Sequence, residues 1–397
     1  MIRTTSPLRK STSVLLVGNA HYGSLAAVRA LRAAGYEPWL ALYEPGTYVG
    51  RSWAKAGTVL VPDVNYDREG FVRELAAAAM ELSVSAVLPS GESHLLALAG
   101  READFPGIAL GTPSREFVER ATDKGLLPEL AATAGLQTPP TTKVVRGDSE
   151  TVSMFGFPAI VKPRSSRMQT SNVTLSAFKT HYVTNEQAAE EALEALPGKE
   201  GFIQAYIPGL LRSVTGVSWE GELVCVLHQR SPRIWPVSTG ESAYAETVPP
   251  NAELEQGVGH MLRALDWSGL FQAQFIQSSR GEHYLIDLNP RIYGSLALAV
   301  AAGLNLPVIW VDLLLGRRLD VGSYRVGARF RHEEKDVRAL AWMLQKGEFR
   351  SALQGTIPRR GATHAAFSLR DPMPLLTSGE KVARRLGRLF SGGSGPL

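Results

Sequence analysis

Apolar and polar positions alternate along this chain with two distinct periods. From residue 13 to 42 an apolar run, a glycine, an amphipathic stretch and a second apolar run follow one another. That order predicts strand, tight turn, helix and strand, a βαβ unit. The pattern repeats as TVLVP (58–62), REGFVRELAAAAMEL (68–82), SAVLPS (85–90) and ESHLLALAG (92–100). Strands alternating with helices predict a parallel, doubly wound sheet through about residue 112. Two helices are expected over 113–135, the first capped by Ser114, before a stiff Pro139-Pro140 exit. A small α/β unit follows over 141–197, with FPAIVKP (157–163) as a buried strand and Asn185 capping a helix. Residues 202–228 read as strands, 230–248 as a loop-rich polar segment, and 251–267 as a helix. Two apolar helices are expected over 295–316, a possible strand in 323–332 and an amphipathic helix over 335–347.

Period-two alternation is clearest in FQAQFIQ (271–277) and HYLIDLN (283–289), joined by a turn that holds Gly281. A hairpin centred on Arg280–Gly281 sets Gln274 opposite Asp287 and Gln272 opposite Asn289. These four would share one face, with Phe271, Ala273, Phe275, Tyr284, Ile286 and Leu288 on the other. A row of hard oxygen donors on a core-backed hairpin suits Mg²⁺. Arg291 follows, placed to grip a phosphate with its planar fork. Read alone, Asp-Leu-Asn-Pro also fits an ordinary strand end, because these residues favour turns.

Composition narrows the picture. The 397 residues carry 44% hydrophobic and 20% charged side chains and a net charge of +4, enough for two or three domains. The basic residues are not clustered along the main body, so no nucleic acid is expected, and an anionic substrate such as a nucleotide fits the net charge equally well. One cysteine, Cys225, sits in an apolar run, which leaves no disulfide framework within the chain. No secretory h-region or uninterrupted membrane span is read, and a cytoplasmic protein is expected. KVARRLGRLF (381–390) predicts a basic amphipathic tail helix, or a solvated one, ahead of a polar end.

Other residues stand out chemically. Lys162 lies in an apolar strand, where an unpaired charge is costly, so it calls for an anion or an exit to water. The loop after it, RSSRMQTSN (164–172), is basic and rich in hydroxyls but holds no glycine. His21, Glu92 and His94 follow strand ends, where open α/β sheets bind ligands; helix capping or solvation accounts for them equally well. Neither a G-x-G-x-x-G fingerprint nor a P-loop is present.

Three landmarks fall in order: DK at 123–124, VKP at 161–163 and IDLNPR at 286–291, with FIQAYIPG at 202–209 between the last two. In this order the chain resembles the ATP-grasp superfamily over residues 14–316, and is most similar to its carbamoyl-phosphate-synthetase-like branch of uncharacterised carboxylate–amine ligases. The resemblance implies an α/β (α+β) architecture: a flexible arm (1–13), a Rossmann-like, doubly wound pre-grasp domain (14–113), and a two-lobed ATP-grasp fold. The lobes would be a small lobe or lid (114–200) and a C-terminal lobe with the metal site (201–320). A C-terminal extension with a basic tail (321–397) would follow.

It also implies roles. Lys124 and Lys162 match the positions that hold ATP phosphates, and Gln204, Ala205 and Ile207 the hinge that meets adenine, with Tyr206 turned away. Arg164 and Arg167 would replace the amide contacts of the usual glycine-rich loop. Gln274, Asp287 and Asn289 match the ligands of Mg²⁺ (or Mn²⁺), with Gln and Asp where Glu is more common. Arg291, with Lys162, would steady the transferred phosphoryl group. Ser238 falls where a histidine is usual, and no acidic ribose partner follows the hinge, where only Arg212 is offered. Arg230, Arg233, Glu246 and Glu92 are candidate substrate contacts.

The implied activity is ATP- and Mg²⁺-dependent ligation of a small-molecule carboxylate to an amine through an acyl phosphate, releasing ADP and phosphate, in a chain that could pair as a homodimer. Carbamoyl-phosphate-type phosphorylation of bicarbonate, a silent ATP-binding module and a nicotinamide-dependent reductase are the alternatives.

Overall fold

A computed structural model describes residues 12–18, 21–164, 167–169, 175–177, 180–196, 200–319, 321–348 and 361–377. The arm before Thr12, most of the loop after Arg164 and the basic tail lie outside these residues.

The repeated βαβ pattern forms a five-stranded sheet in the order Gly57–Leu60, Tyr36–Leu42, Thr12–Val17, Ala86–Pro89, Ala109–Leu110. Every pairing in it is parallel. Strand order reverses beside Thr12–Val17, so its C-terminal end is the switch point at which such sheets open a crevice. His21 stands there, at the start of the helix Tyr22–Ala33. Alternation along Thr12–Val17 sends Leu15 and Val17 into a core with Phe71 and Leu75. Val14 and Leu16 pack toward Leu296, Leu298, Ile309 and Trp310. The expected apolar helices, Leu296–Ala302 and Leu306–Leu314, therefore bind the N-terminal sheet to the rest of the chain. Among the described residues no single helix is long and apolar enough to cross a membrane.

Residues 141–205 form a four-stranded sheet, His181–Val183, Ala159–Pro163, Glu200–Ala205, Thr141–Val145. Asn185 caps its helix as expected, accepting from Ala188 N–H. Ser114 makes no such side-chain cap.

The large sheet has seven strands, in the order His283–Asn289, Gly269–Ser278, Gly209–Trp219, Glu222–Trp235, Glu241–Thr247, Arg329–Arg331, Ala362–His364. The last part of Glu222–Trp235 and all of Glu241–Thr247 lie where a loop-rich segment is expected, over 230–248. The polar residues that suggested a loop are satisfied within the sheet: Arg233 lies 4.4 Å from the Tyr244 ring centre and reaches Asp336 at 2.6 Å. The hairpin has the expected register, Gln272 opposite Asn289 and Gln274 opposite Asp287. A bulge then breaks the alternation. Leu285, not Ile286, enters the core with Phe275, and Ile286 turns to a cleft.

Candidate active site

The cleft lies between the four-stranded and the seven-stranded sheet. Its floor includes Gln274, Ile276, Ile286 and Asp287 from the hairpin, and its roof Ile160, Lys162, Gln204 and Ala205 from the small sheet. Lys124 enters from the turn after the helix Arg115–Thr122. Tyr206, expected to turn away, also lines the cleft and meets Tyr182 edge-on. Ser238 and Gly240 close one side. Gly240 approaches the chain so closely that a Cβ there would come within 1.9 Å of Trp235 C, so only glycine fits.

Lys162 is 5% exposed and donates to Gln204 Oε1 at 3.2 Å and to Ile286 O at 3.3 Å. Gln204 is oriented in turn by donating to Thr141 Oγ1 at 2.7 Å. Burial, reinforced by Lys124 and only partly offset by Asp287, lowers the Lys162 pKa to about 8. Lys124 Nζ meets Asp287 Oδ1 at 2.9 Å, and its N–H donates to Arg164 O. Arg164 is half exposed, held by both oxygens of Asp123. The DK landmark gives no sign of this role for Asp123. Arg167 starts a short strand, Arg167–Gln169, but its side chain is outside the described residues. Ala205 N–H is taken by Pro140 O, so of the three hinge residues Ile207, past the end of the strand, is the freest of the sheet.

Gln274 and Asp287 also border a second chamber with Asn289 and Arg291. Asn289 Nδ2 donates to Gln274 Oε1 at 3.2 Å, and Arg291 donates to Asn289 Oδ1 at 3.0 Å and to Ile292 O at 2.9 Å. The far wall brings His21, Glu241 and His332 from three distant segments. Burial, with Arg291, holds His21 down at about 4; burial, with Lys335, does the same to His332. Both rings are neutral at physiological pH. The Glu241 side chain is largely exposed; desolvation by its neighbours works against ionisation, but Lys335, which donates to it, prevails and lowers it to about 2. Glu241, His332 and Lys335 were not singled out from sequence. Residue types alone gave no signal, because the chamber exists only once the sheet and the N-terminal domain meet.

The candidate substrate contacts fall elsewhere. Ser213 and Gln229 share the cross-strand row of Gln274, whereas Arg212, Arg230 and Glu246 share that of Phe275, the core face. Period-two alternation thus puts Arg230 and Glu246 on the opposite side of the sheet, paired at 2.6 Å. Arg233 is held by Asp336, Glu92 lies in the first turn of its own helix outside both cavities, and buried His94 stacks on Phe71.

Comparison with known proteins agrees with this architecture. Residues 199–336 match the family model described as ATP-grasp in the biosynthetic pathway with Ter operon. The chain is 25% identical over 338 residues to the N-terminal section of the carbamoyl phosphate synthase large chain of Aquifex aeolicus (strain VF5), covering 77% of this chain and 57% of that protein. The chain thus spans little more than half the length of this curated relative.

Among solved structures, it is similar to the biotin carboxylase domain of the Hydrogenobacter thermophilus 2-oxoglutarate carboxylase, solved with MgADP and bicarbonate (TM-score 0.60, 16% identity, 81% of this chain and 74% of that one). It is also similar to an L-amino acid ligase from Bacillus licheniformis (TM-score 0.59, 15% identity, 77% and 75%). The chain has the ATP-grasp fold, preceded by a parallel α/β domain.

Proposed function

We propose that this protein is an ATP-dependent ligase that activates a carboxylate as an acyl phosphate and joins it to an amine, with release of ADP and phosphate. The observation that carries this reading is Lys162. It is a buried cation whose hydrogen-bond partners, Gln204 Oε1 and Ile286 O, are both neutral. Burying a charge against neutral partners is costly, and an arriving anion repays that cost. Lys124 lies beside it, and an apolar recess lined by Ile160, Ile207 and Ile276 suits a purine ring. Together these favour a nucleoside polyphosphate.

The fit to a divalent cation follows from donor chemistry. Gln274, Asp287 and Asn289 offer hard oxygens from one face of the hairpin but a single negative charge. Mg²⁺ accepts such a set when phosphates supply other ligands. These three residues would hold it, and it would supply charge neutralisation at the phosphates. The chain's own residues do the remainder. Lys162 and Lys124 bind phosphate oxygens. Arg291, oriented by Asn289, meets charge that develops on the transferred phosphoryl group. The substrate carboxylate oxygen attacks the γ-phosphorus as the bond to ADP breaks. The amine nitrogen then attacks the acyl carbon, phosphate leaves, and the amine proton passes to solvent or phosphate. The second chamber, on the Arg291 side of Asp287, would hold these substrates.

The test is ADP release from Mg-ATP with pools of amino acids, other carboxylates, amines and bicarbonate, beside Asp287→Ala. The ligase reading requires turnover that needs both a carboxylate and an amine and disappears in the variant. Turnover with bicarbonate alone would support the second reading, carbamoyl-phosphate-type phosphorylation, which the similarity to carbamoyl phosphate synthase favours.

A further inference from the structure

Resting on the ligase reading, we infer that the second chamber takes a compound of amino-acid type, with His332 donating to its carboxylate and Glu241 accepting from its ammonium group. His332 is 3% exposed and caps the helix Glu333–Gln345 by accepting Lys335 N–H at Nδ1. A neutral imidazole that accepts at Nδ1 carries its proton on Nε2. That Nε2 is buried and has no hydrogen-bond partner among the described residues, while the residue lines the chamber. Buried donors in native proteins are normally paired, and one carried by a residue that lines a cavity calls for an oxygen brought by a ligand. The ring is fixed sideways by Tyr22, 4.4 Å away and edge-on.

Charge sets the class. Arg291 makes the end near Asn289 positive, and its two hydrogen bonds leave further N–H groups for an anionic oxygen. Glu241 lines the same chamber, with Oε2 engaged by Lys335. Its other oxygen is an acceptor suited to an ammonium group. Cationic and neutral donors together with a carboxylate match a zwitterion better than a simple acid or a simple amine. His21, whose Nδ1 is likewise buried without a partner, adds a further polar contact from the N-terminal domain.

The experiment uses the full chain. Mg-ADP binding is first measured by calorimetry. ADP release is then followed with the twenty L-amino acids, their 2-hydroxy acid counterparts, which lack the ammonium group, and their amides, which lack the carboxylate. At least one amino acid should stimulate release; its hydroxy acid should need about tenfold higher concentration, the scale of one charge-assisted hydrogen bond, and its amide, with no carboxylate to phosphorylate, should give none. His332→Phe should raise KM for that amino acid about tenfold while leaving KM for Mg-ATP within about twofold. His332→Asn, which can still cap and still donate, should restore most of the loss. Glu241→Gln should erode discrimination against the hydroxy acid. Analogues as effective as the amino acid, or a His332→Phe variant that shifts both KM values together, would overturn the inference. Normal Mg-ADP binding with no response to any amino acid sinks the inference and leaves the ligase reading standing. Absence of Mg-ADP binding removes that reading as well.

Discussion

Lys124 and Asp287, 163 positions apart in the chain, meet at 2.9 Å where the cleft joins the second chamber. Each needs the other: the carboxylate would otherwise stand alone among carboxamides, and the ammonium would face Lys162 without relief. The proposed metal and Lys124 would compete for the same carboxylate. Lys124→Met is therefore expected to act in two directions. Mg-ATP affinity should fall about 10- to 100-fold, the loss of a charge-assisted phosphate contact. Affinity for Mn²⁺ without nucleotide, read by electron paramagnetic resonance, should rise as the competitor disappears. Unchanged metal affinity would show that Asp287 is not a metal ligand.

Lys162 should impose opposite pH dependences on binding and on stability. Its pKa falls from the ordinary 10.5 to about 8 on folding. Between these values the unfolded chain binds more protons than the folded one, so this group's contribution to stability rises with pH across that window. Its burial cost is fully present below pH 8. Nucleotide binding needs the charged form, so affinity should decline as pH climbs from 7 to 9. Lys162→Met should abolish binding and flatten both profiles; calorimetric titrations and urea melts at several pH values read them. A wild-type affinity independent of pH would contradict the assignment.

Gln274→Glu probes the single-carboxylate donor row. The new side chain keeps the oxygen that accepts from Asn289 Nδ2. It adds a second negative charge opposite Asp287. The Mg²⁺ concentration giving half-maximal ADP release should fall several-fold, and a rise would argue against a metal on this row.

Asp336 is wholly buried and pairs with both Arg233 and Arg331. Asp336→Ala would strand two cations, at a cost of about 3–5 kcal/mol. Urea denaturation would show it as a lower midpoint with an unchanged slope. A loss under about 1 kcal/mol would mean that water replaces the carboxylate easily.

Hydrophobic period revealed the parallel sheet, the hairpin register and the apolar helices, because each depends on neighbours close in sequence. What it missed arises from contacts at a distance. The bulge that sends Leu285 inward and Ile286 into the cleft leaves no mark in alternating residues. Arg230, Arg233 and Glu246 suggest substrate contacts because they flank the carboxylate site expected from sequence; only the row that Arg230 and Glu246 share with Phe275, and the Asp336 partner of Arg233, reveal structural positions. His332 looked like the end of a possible strand, and its importance depends on Tyr22, 310 positions earlier by residue number.

The strand Ala362–His364 lies in parallel register beside Arg329–Arg331 at the margin of the large sheet. A few residues later Asp371 accepts from Arg29 Nε, Ser52 Oγ and Trp53 N–H of the N-terminal domain. The segment thus behaves as a clasp between the first and last parts of the described chain. A chain cut after residue 336, where the family match ends, would lose it, leaving open backbone on Arg329–Arg331 and Arg29 without its carboxylate. The ATP-grasp segment is consequently not a portable module in this protein. Its chamber wall at His332 and the helix that carries Arg29 are parts of one closed circuit.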